Sequence, residues 1–295
     1  MLTRVQDTHL YMWLKDKESE FLSKLDDVIK YAEDMLPQIN NVFATYTIHG
    51  IQHSINVMEY MYSLIEDLDK LSELEVVMLI YSALLHDIGM AANQDEIKEI
   101  KADHMVLGDR KYSKVLDKYQ NEMTALQECI RPVHGERAKA YIKNQMNENL
   151  FLIPGSTAIS FKTELALICM SHNEDFEWIK KNLSTDEKKG SFDLNAQYIS
   201  VLLRISDYLD IDDQRAPLYL YNYLTPKDFS DLEWRQHFVI ENYDKIVKNS
   251  KTGELEILFQ GTSRDPSVHR KLLKYFDSIN GELKNAVSLC EGFIE

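Results

Sequence analysis

Ser72-Glu-Leu-Glu-Val-Val-Met-Leu-Ile-Tyr-Ser-Ala-Leu-Leu-His-Asp-Ile-Gly-Met90 is the most informative stretch of the chain. Ser72 is a helix-capping type, and Glu73 and Glu75 suit the positive end of a helix. From Val76 to Leu85 the run is apolar, so the predicted helix has no polar face to turn towards water. This run is too short to cross a bilayer. It ends in His86-Asp87, with Gly89 as a stop signal. Polar groups at the end of a buried helix need partners, because burying them unpaired is costly.

The neighbouring segments are also helical in pattern. Leu22, Leu25, Ile29, Ala32 and Leu36 recur at helical spacing before Pro37. The segment Thr45-Tyr-Thr-Ile-His-Gly-Ile-Gln-His53 breaks at Gly50, and a helix through Val57, Met61, Leu64 and Leu68 follows. Residues 93–128 are charged and helical in propensity. Further helices are predicted near 135–148, 161–172 and 194–211, with a polar loop over 180–192. Residues 236–247 and 254–260 partly alternate apolar with polar around Lys251-Thr-Gly253, which predicts a β-hairpin. Asp265-Pro266-Ser267 then starts a last helix running to about Cys290. The expected architecture is all-α: a helical bundle with a small appended β-hairpin near 236–260 and a C-terminal helix. The expected division is an N-terminal helical segment over 1–44, a core over 45–232, and the hairpin and last helix over 233–295.

Composition narrows the function. The chain has 295 residues with 10 glycines and 6 prolines, a low turn-former content that favours helices. The formal net charge of -15 disfavours long polyanions, so no long nucleic acid is expected as a partner. A small anionic substrate would then need a bound cation to supply the local positive field. The three cysteines are widely spaced and form no CxxC pair, which fits reduced thiols in a cytoplasmic protein. The N-terminus carries no signal-peptide pattern, and no membrane association is expected.

His53 opens a helix, His86-Asp87 and His172 each end an apolar one, and Asp207 lies inside another. His134 stands in Val-His-Gly-Glu-Arg. A divalent cation can satisfy several such groups at once, and imidazole with carboxylate suits transition metals better than calcium. No cysteine sits among them, so a structural thiolate zinc site is not expected. Each residue also has an ordinary structural explanation. His53 can be a surface residue at a helix start, and His86 can complement a helix dipole. His134 and His172 can be core histidines bonded to backbone, and Asp207 can pair with Arg204 or Arg215.

Taken in order, these segments resemble the HD superfamily of metal-dependent phosphohydrolases. The resemblance runs over about 45–216 and rests on Tyr46-Thr-x-His-Gly-x-x-His-Ser54, His86-Asp-Ile-Gly-Met90, His134-Gly-Glu-Arg-Ala138, Ser171-His-Asn-Glu-Asp175 and Asp207-x-Leu-Asp-x-x-x-x-Arg-Ala-Pro217. These forms are similar to a bacterial subgroup often joined to a chaperone- or kinase-type ATPase domain, although no ATPase motif occurs here. The resemblance implies that His53, His86, Asp87 and Asp207 hold one metal. It also implies that His134 and His172 hold a second, with Asp87 bridging both and Asp87, His134 and His172 acting in catalysis. Two divalent ions are expected, drawn from Mn, Fe, Ni, Zn or Mg. His104 competes with His134 for its place, because a long insert follows Asp87.

His49, Arg137, Arg204 and Arg215 are the expected substrate-binding residues, the arginines because guanidinium pairs with phosphate in bidentate fashion. Their alternative is ion pairing with Asp210, Asp212 or Asp213. The resemblance implies a small nucleotide substrate, with a link to signalling or antiviral defence by family analogy alone. A homo-oligomer, or a further domain or partner at the C-terminus, is compatible with the pattern. Two rivals stand beside hydrolysis: a catalytically silent, metal-stapled nucleotide sensor, and a helical scaffold with scattered histidines.

Overall fold

The computed structural model describes residues 4–47, 49–211, 213–226, 228–241, 245–252 and 254–290. Asp212 and Gly253, named above as an ion-pair partner and a turn residue, lie outside them.

The helix starting after Ser72 is the axis of the molecule. This helix is α5 in the chain order α1 (His9–Asp16), α2 (Leu22–Met35), α3 (Asn40–Phe43), α4 (Ile51–Leu64) and α5 (Glu73–Leu85). Ser72 and Glu75 form a capping box: the Ser72 hydroxyl accepts from the Glu75 N–H, and the Glu75 carboxylate accepts from the Ser72 N–H. Every side chain from Leu74 to Leu85 is buried, because α5 packs against α1, α2 and α4 and against two later helices. That all-round burial explains its lack of a polar stripe. Each fully buried Val, Leu, Ile or Met there is worth roughly 1.5–3 kcal/mol relative to exposure.

A 3-10 turn, His86–Met90, ends α5. The charged stretch that follows folds as α6 (Gln94–Lys101), α7 (Tyr112–Tyr119) and α8 (Glu122–Ile130). Then come α9 (His134–Gln145), α10 (Lys162–Ser171), α11 (Phe176–Asn182) and α12 (Ala196–Leu209). The segment expected to be a loop over 180–192 instead ends α11 and holds strand β1 (Glu187–Lys189), which pairs antiparallel with β2 (Phe192–Leu194) around Gly190. Gly190 has φ +65, a backbone conformation that explains both its identity and the tight turn.

The C-terminal part comprises α13 (Leu218–Leu224), α14 (Asp228–Val239), β3 (Ile246–Lys248), β4 (Leu255–Ile257) and α15 (Pro266–Cys290). The hairpin is present but shorter than expected, with Ile246 opposite Ile257 and Lys248 opposite Leu255. Residues 236–239, read as the start of its first strand, are the last turn of α14. There the apparent alternation arises from a helix buried on one side by Trp234 and His237. This part packs on the outer face of α12. Val201, Ile205 and Leu209 meet Ala286, Ile246 and Phe259, while Ile211 and Ile240 meet Val268 and Leu272. The fold is all-α with two small hairpins and a C-terminal helix. Among the described residues no single helix is long and apolar enough to cross a membrane.

Candidate metal centre

Five helix ends converge beneath α14. His53 sits in the first turn of α4, His86 and Asp87 in the turn after α5, His134 at the start of α9, and His172 just past α10. Asp207 is in the last turn of α12. Two glycines permit the approach. A Cβ on Gly89 would lie 2.0 Å from the His134 carbonyl oxygen and 2.5 Å from the Ala138 nitrogen. A Cβ on Gly135 would lie 2.5 Å from Asn173 Oδ1, which accepts from the Gly135 N–H at 2.7 Å. Backbone therefore packs directly on backbone where the ligand-bearing segments meet. Gly89 is needed for that contact as well as for ending the helix.

The side chains form two groups, His53 with His86 and Asp207, and Asp87 with His134 and His172. Within each group the facing atoms lie within 4.8 Å of one another. His53 Nε2 is 3.2 Å from Asp207 Oδ1 and 3.3 Å from His86 Nε2. Asp87 spans the groups: Oδ2 is 3.4 Å from His86 Nε2, and Oδ1 is 3.4 Å from His134 Nε2. His134 Nε2 and His172 Nε2 face each other at 2.7 Å.

In all four histidines the other ring nitrogen is engaged. Nδ1–H of His53 donates to Asp210 Oδ2 at 2.5 Å, and that of His134 to the Arg131 carbonyl at 2.6 Å. His86 Nδ1 lies 3.2 Å from the carbonyls of both Ser82 and Ala83, and His172 Nδ1 bonds the Cys169 carbonyl. A neutral imidazole has one N–H. With that proton on Nδ1, the Nε2 lone pairs point at one another, an arrangement that a cation between them relieves. The donor set, four imidazole nitrogens and two carboxylates without thiolate, fits divalent transition metals. Both groups could hold a metal ion.

Without an ion, the carboxylates draw a proton onto the first group instead, a positive charge that a cation would replace. Burial opposes a charge on His86, but Asp87 and Asp207 outweigh it and raise the imidazole to about 9. His53 is raised too: burial and Arg215 oppose its charge, and the bonds to Asp207 and Asp210 prevail. His172 goes the other way, to about 3, through burial and the neighbouring His134 and His86. Burial pushes the Asp87 carboxyl up, yet His86 and His134 hold it well below the usual range. Asp207 is lowered in the same way, with His53 as the main opponent of burial.

A cavity of about 330 Å³ opens over this cluster, lined by Asp87, His134, His172 and Asp207 at one end. Ser230, Glu233, Gln236 and His237 of α14 line another wall, and Tyr46, Tyr208 and Tyr275 add aromatic surface. His49 lines it as well, its Nδ1–H donating to the Thr47 carbonyl at 2.6 Å, and burial and Arg215 depress it to about 3. Arg215 Nη1 donates to the Asp210 carbonyl at 3.1 Å, and the guanidinium borders the cavity.

A family profile described as HD-CE matches residues 43–285. The chain belongs to the HD-CE family. The matched span extends past the motifs quoted above and takes in α14, both strands of the second hairpin and most of α15. Neither a curated protein nor a solved structure matches the chain.

Two of the arginines expected at the substrate stand elsewhere in this HD-CE domain. Arg137 donates to the carbonyls of Gly89 at 2.7 Å and Ala91 at 2.8 Å, and pairs with Glu96 at 2.7 Å. It fastens the turn that carries Asp87 and does not line the cavity. Arg204 forms a two-pronged pair with Glu282, both contacts 2.9 Å. Among the described residues, neither pairs with Asp210 or Asp213, two of the partners considered for it. His104 is exposed and 3.2 Å from Glu99, away from both groups.

Asp210 was read from the sequence only as an ion-pair partner, yet its carboxylate orients His53 and accepts from Asn56 Nδ2 at 2.8 Å. Burial opposes its charge, but His53, Arg215 and Asn56 lower it to about 2. Its signal was present: Asp207 and Asp210 are one helical turn apart at the end of an apolar helix.

Proposed function

We propose that this HD-CE chain is a two-metal phosphohydrolase acting on a small nucleotide, the reading that the Asp87 bridge favours most. One carboxylate placed between two imidazole groups, each with its Nε2 lone pairs directed inward, suits a shared binuclear centre better than a single structural ion. His53, His86, Asp87 and Asp207 would hold one ion, and Asp87, His134 and His172 the other. Bound ions would polarise the phosphoryl oxygens and lower the pKa of water from about 15.7 to near 7.

The chain's own residues do the remaining work. Asp210 and the carbonyls of Ser82, Ala83, Arg131 and Cys169 fix the four imidazoles, so little reorganisation accompanies the reaction. Arg215 and Arg131 are cations at the cavity wall suited to a phosphoryl oxygen. His49, kept neutral by its surroundings, offers a polar contact that adds no charge. Water would attack phosphorus opposite the leaving oxygen, which departs with a proton from solvent.

The cavity is at the small end of the usual ligand range of about 300–1,000 Å³. That size favours a single nucleotide over a polymer, and the tyrosines and the polar wall of α14 suit a base and sugar.

Phosphate release from a panel of nucleotides with added Mn²⁺ tests the proposal. Hydrolysis that chelation abolishes and Mn²⁺ restores is the expected result. Nucleotide binding without turnover would establish the silent sensor in its place. A protein that neither takes up metal nor gains thermal stability from it would be the scaffold.

A further inference from the structure

The turn that carries His172 is held from outside the metal groups. Arg204, buried on α12, directs Nη1 to the carbonyl of Ser171 at 2.8 Å, to that of His172 at 3.1 Å, and to that of Glu174. These carbonyls lie at and just past the end of α10, where that of Ser171 also accepts from the Glu174 N–H at 3.1 Å and the helix dipole favours a cation. The other edge of the same guanidinium is occupied by Glu282 of α15, Nε to Oε2 and Nη2 to Oε1. Phe176 covers its face, with the guanidinium carbon 5.1 Å from the ring centroid. Arg204 is thus a fixed bracket with three carbonyls on one side and a carboxylate on the other.

The bracket on the side of His86 is a different one: Arg137 holds the carbonyls of Gly89 and Ala91 and pairs with Glu96 of α6. The rings of His53 and His86 are held by Asp210, itself bonded by Asn56 and Arg215, and by carbonyls of α5. The two metal groups therefore differ in what steadies them, and the second depends on α15. The same helix makes two more contacts to the cavity walls: Tyr275 donates to the Tyr208 carbonyl at 2.7 Å, and Lys271 pairs with Glu233 of α14. Lys271, Tyr275 and Glu282 are four and seven residues apart, so they share one face of α15.

We infer that Arg204 and Glu282 are positioning residues for the second metal group, and that the Glu282 contact from α15 sets the affinity of that group independently of the first. The inference rests on the two-ion reading of the site and does not require turnover. Outer partners that orient metal ligands change metal affinity by about 10–100-fold when lost. Glu282→Gln keeps the shape and removes the charge that fixes the guanidinium, while Arg204→Lys keeps a charge and loses the fork.

The test is calorimetric titration of the metal-free full chain with Mn²⁺, with a thermal melt of each variant. The wild type takes up two ions. In both variants the ion that His134→Ala removes loses at least about tenfold in affinity, while the other stays within about twofold. Glu282→Asp, which keeps the charge, recovers part of the loss. The inference is overturned by equal weakening of both ions, by a lowered melting temperature with unchanged second-ion affinity, or by a wild type that binds one ion. A protein that binds two ions with this pattern but hydrolyses no nucleotide keeps this inference and defeats the hydrolase proposal.

Discussion

At the scale of single residues, Asp87 is the group that the two-ion reading places between both metal positions. Its two oxygens face different groups, 3.4 Å from His86 and 3.4 Å from His134. Asp87→Ala is therefore expected to remove both ions and all metal-dependent hydrolysis, and elemental analysis after dialysis against Mn²⁺ would show it. Wild-type metal content in that variant would overturn the ligand assignment. His134→Ala is expected to lose one ion and keep the other. The charge state of His86 adds a pH dependence. In the metal-free protein its imidazole, held up to about 9, keeps a proton at neutral pH. An ion must displace that proton, so Mn²⁺ affinity should rise with pH up to about 9 and flatten above it. The linkage for folding runs the opposite way. A histidine raised above its unfolded value of about 6.5 stabilises the metal-free fold fully below that value. That contribution is lost as pH rises through about 9. Affinity that is flat between pH 6 and 9 would mean that His86 binds no proton there.

At the scale of elements, the cap of α5 and the glycine beyond its end hold the site from opposite directions. Ser72→Ala removes half of the capping box and should destabilise the protein by about 1 kcal/mol, read from denaturant unfolding. Metal affinity should hardly change, because the loss lies a full helix away from His86. Gly89→Ala should do far more. The new methyl would meet the backbone of α9 at 2.0 Å, and overpacking of that kind costs about 1–3 kcal/mol or more. It also pushes His134 away from Asp87, so metal uptake should fall together with stability. Unchanged Mn²⁺ stoichiometry in Gly89→Ala would show that the turn and α9 can separate without disturbing the site.

The sequence made α5 legible because an unbroken apolar run with a capping signal leaves little choice of structure. It made His53, His86, Asp87 and Asp207 legible as a set through their order. Contacts between distant segments were not legible. No periodicity reports that Gly89 touches α9, or that Arg137 closes on the carbonyls of Gly89 and Ala91. The strand expected at 236–239 failed for a related reason. In so short a segment a half-buried helix and a strand give similar patterns, and the packing of Trp234 decided between them.

At the scale of the whole molecule, the C-terminal part and the core contribute different things to one cavity. The core supplies the candidate ligands, while α14 and α15 supply much of the remaining wall. One link between them is Trp234 of α14, fully buried, whose Nε1–H donates to the Thr45 carbonyl at 2.8 Å. Thr45 begins the segment that leads to His49 and His53. Trp234→Phe keeps most of the apolar bulk but leaves that carbonyl without its donor, a loss of about 1–3 kcal/mol if it stays dry. Because the Trp234 bond goes to Thr45 and not to a member of either histidine group, Mn²⁺ affinity should be preserved. Nucleotide affinity should weaken, since α14 carries Glu233, Gln236 and His237 into the cavity wall. Paired titrations of the variant with Mn²⁺ alone, and with a nucleotide in its presence, separate the two effects. If both affinities fall together, the cavity wall and the metal groups are a single cooperative unit, and the division of labour between core and C-terminal part does not hold.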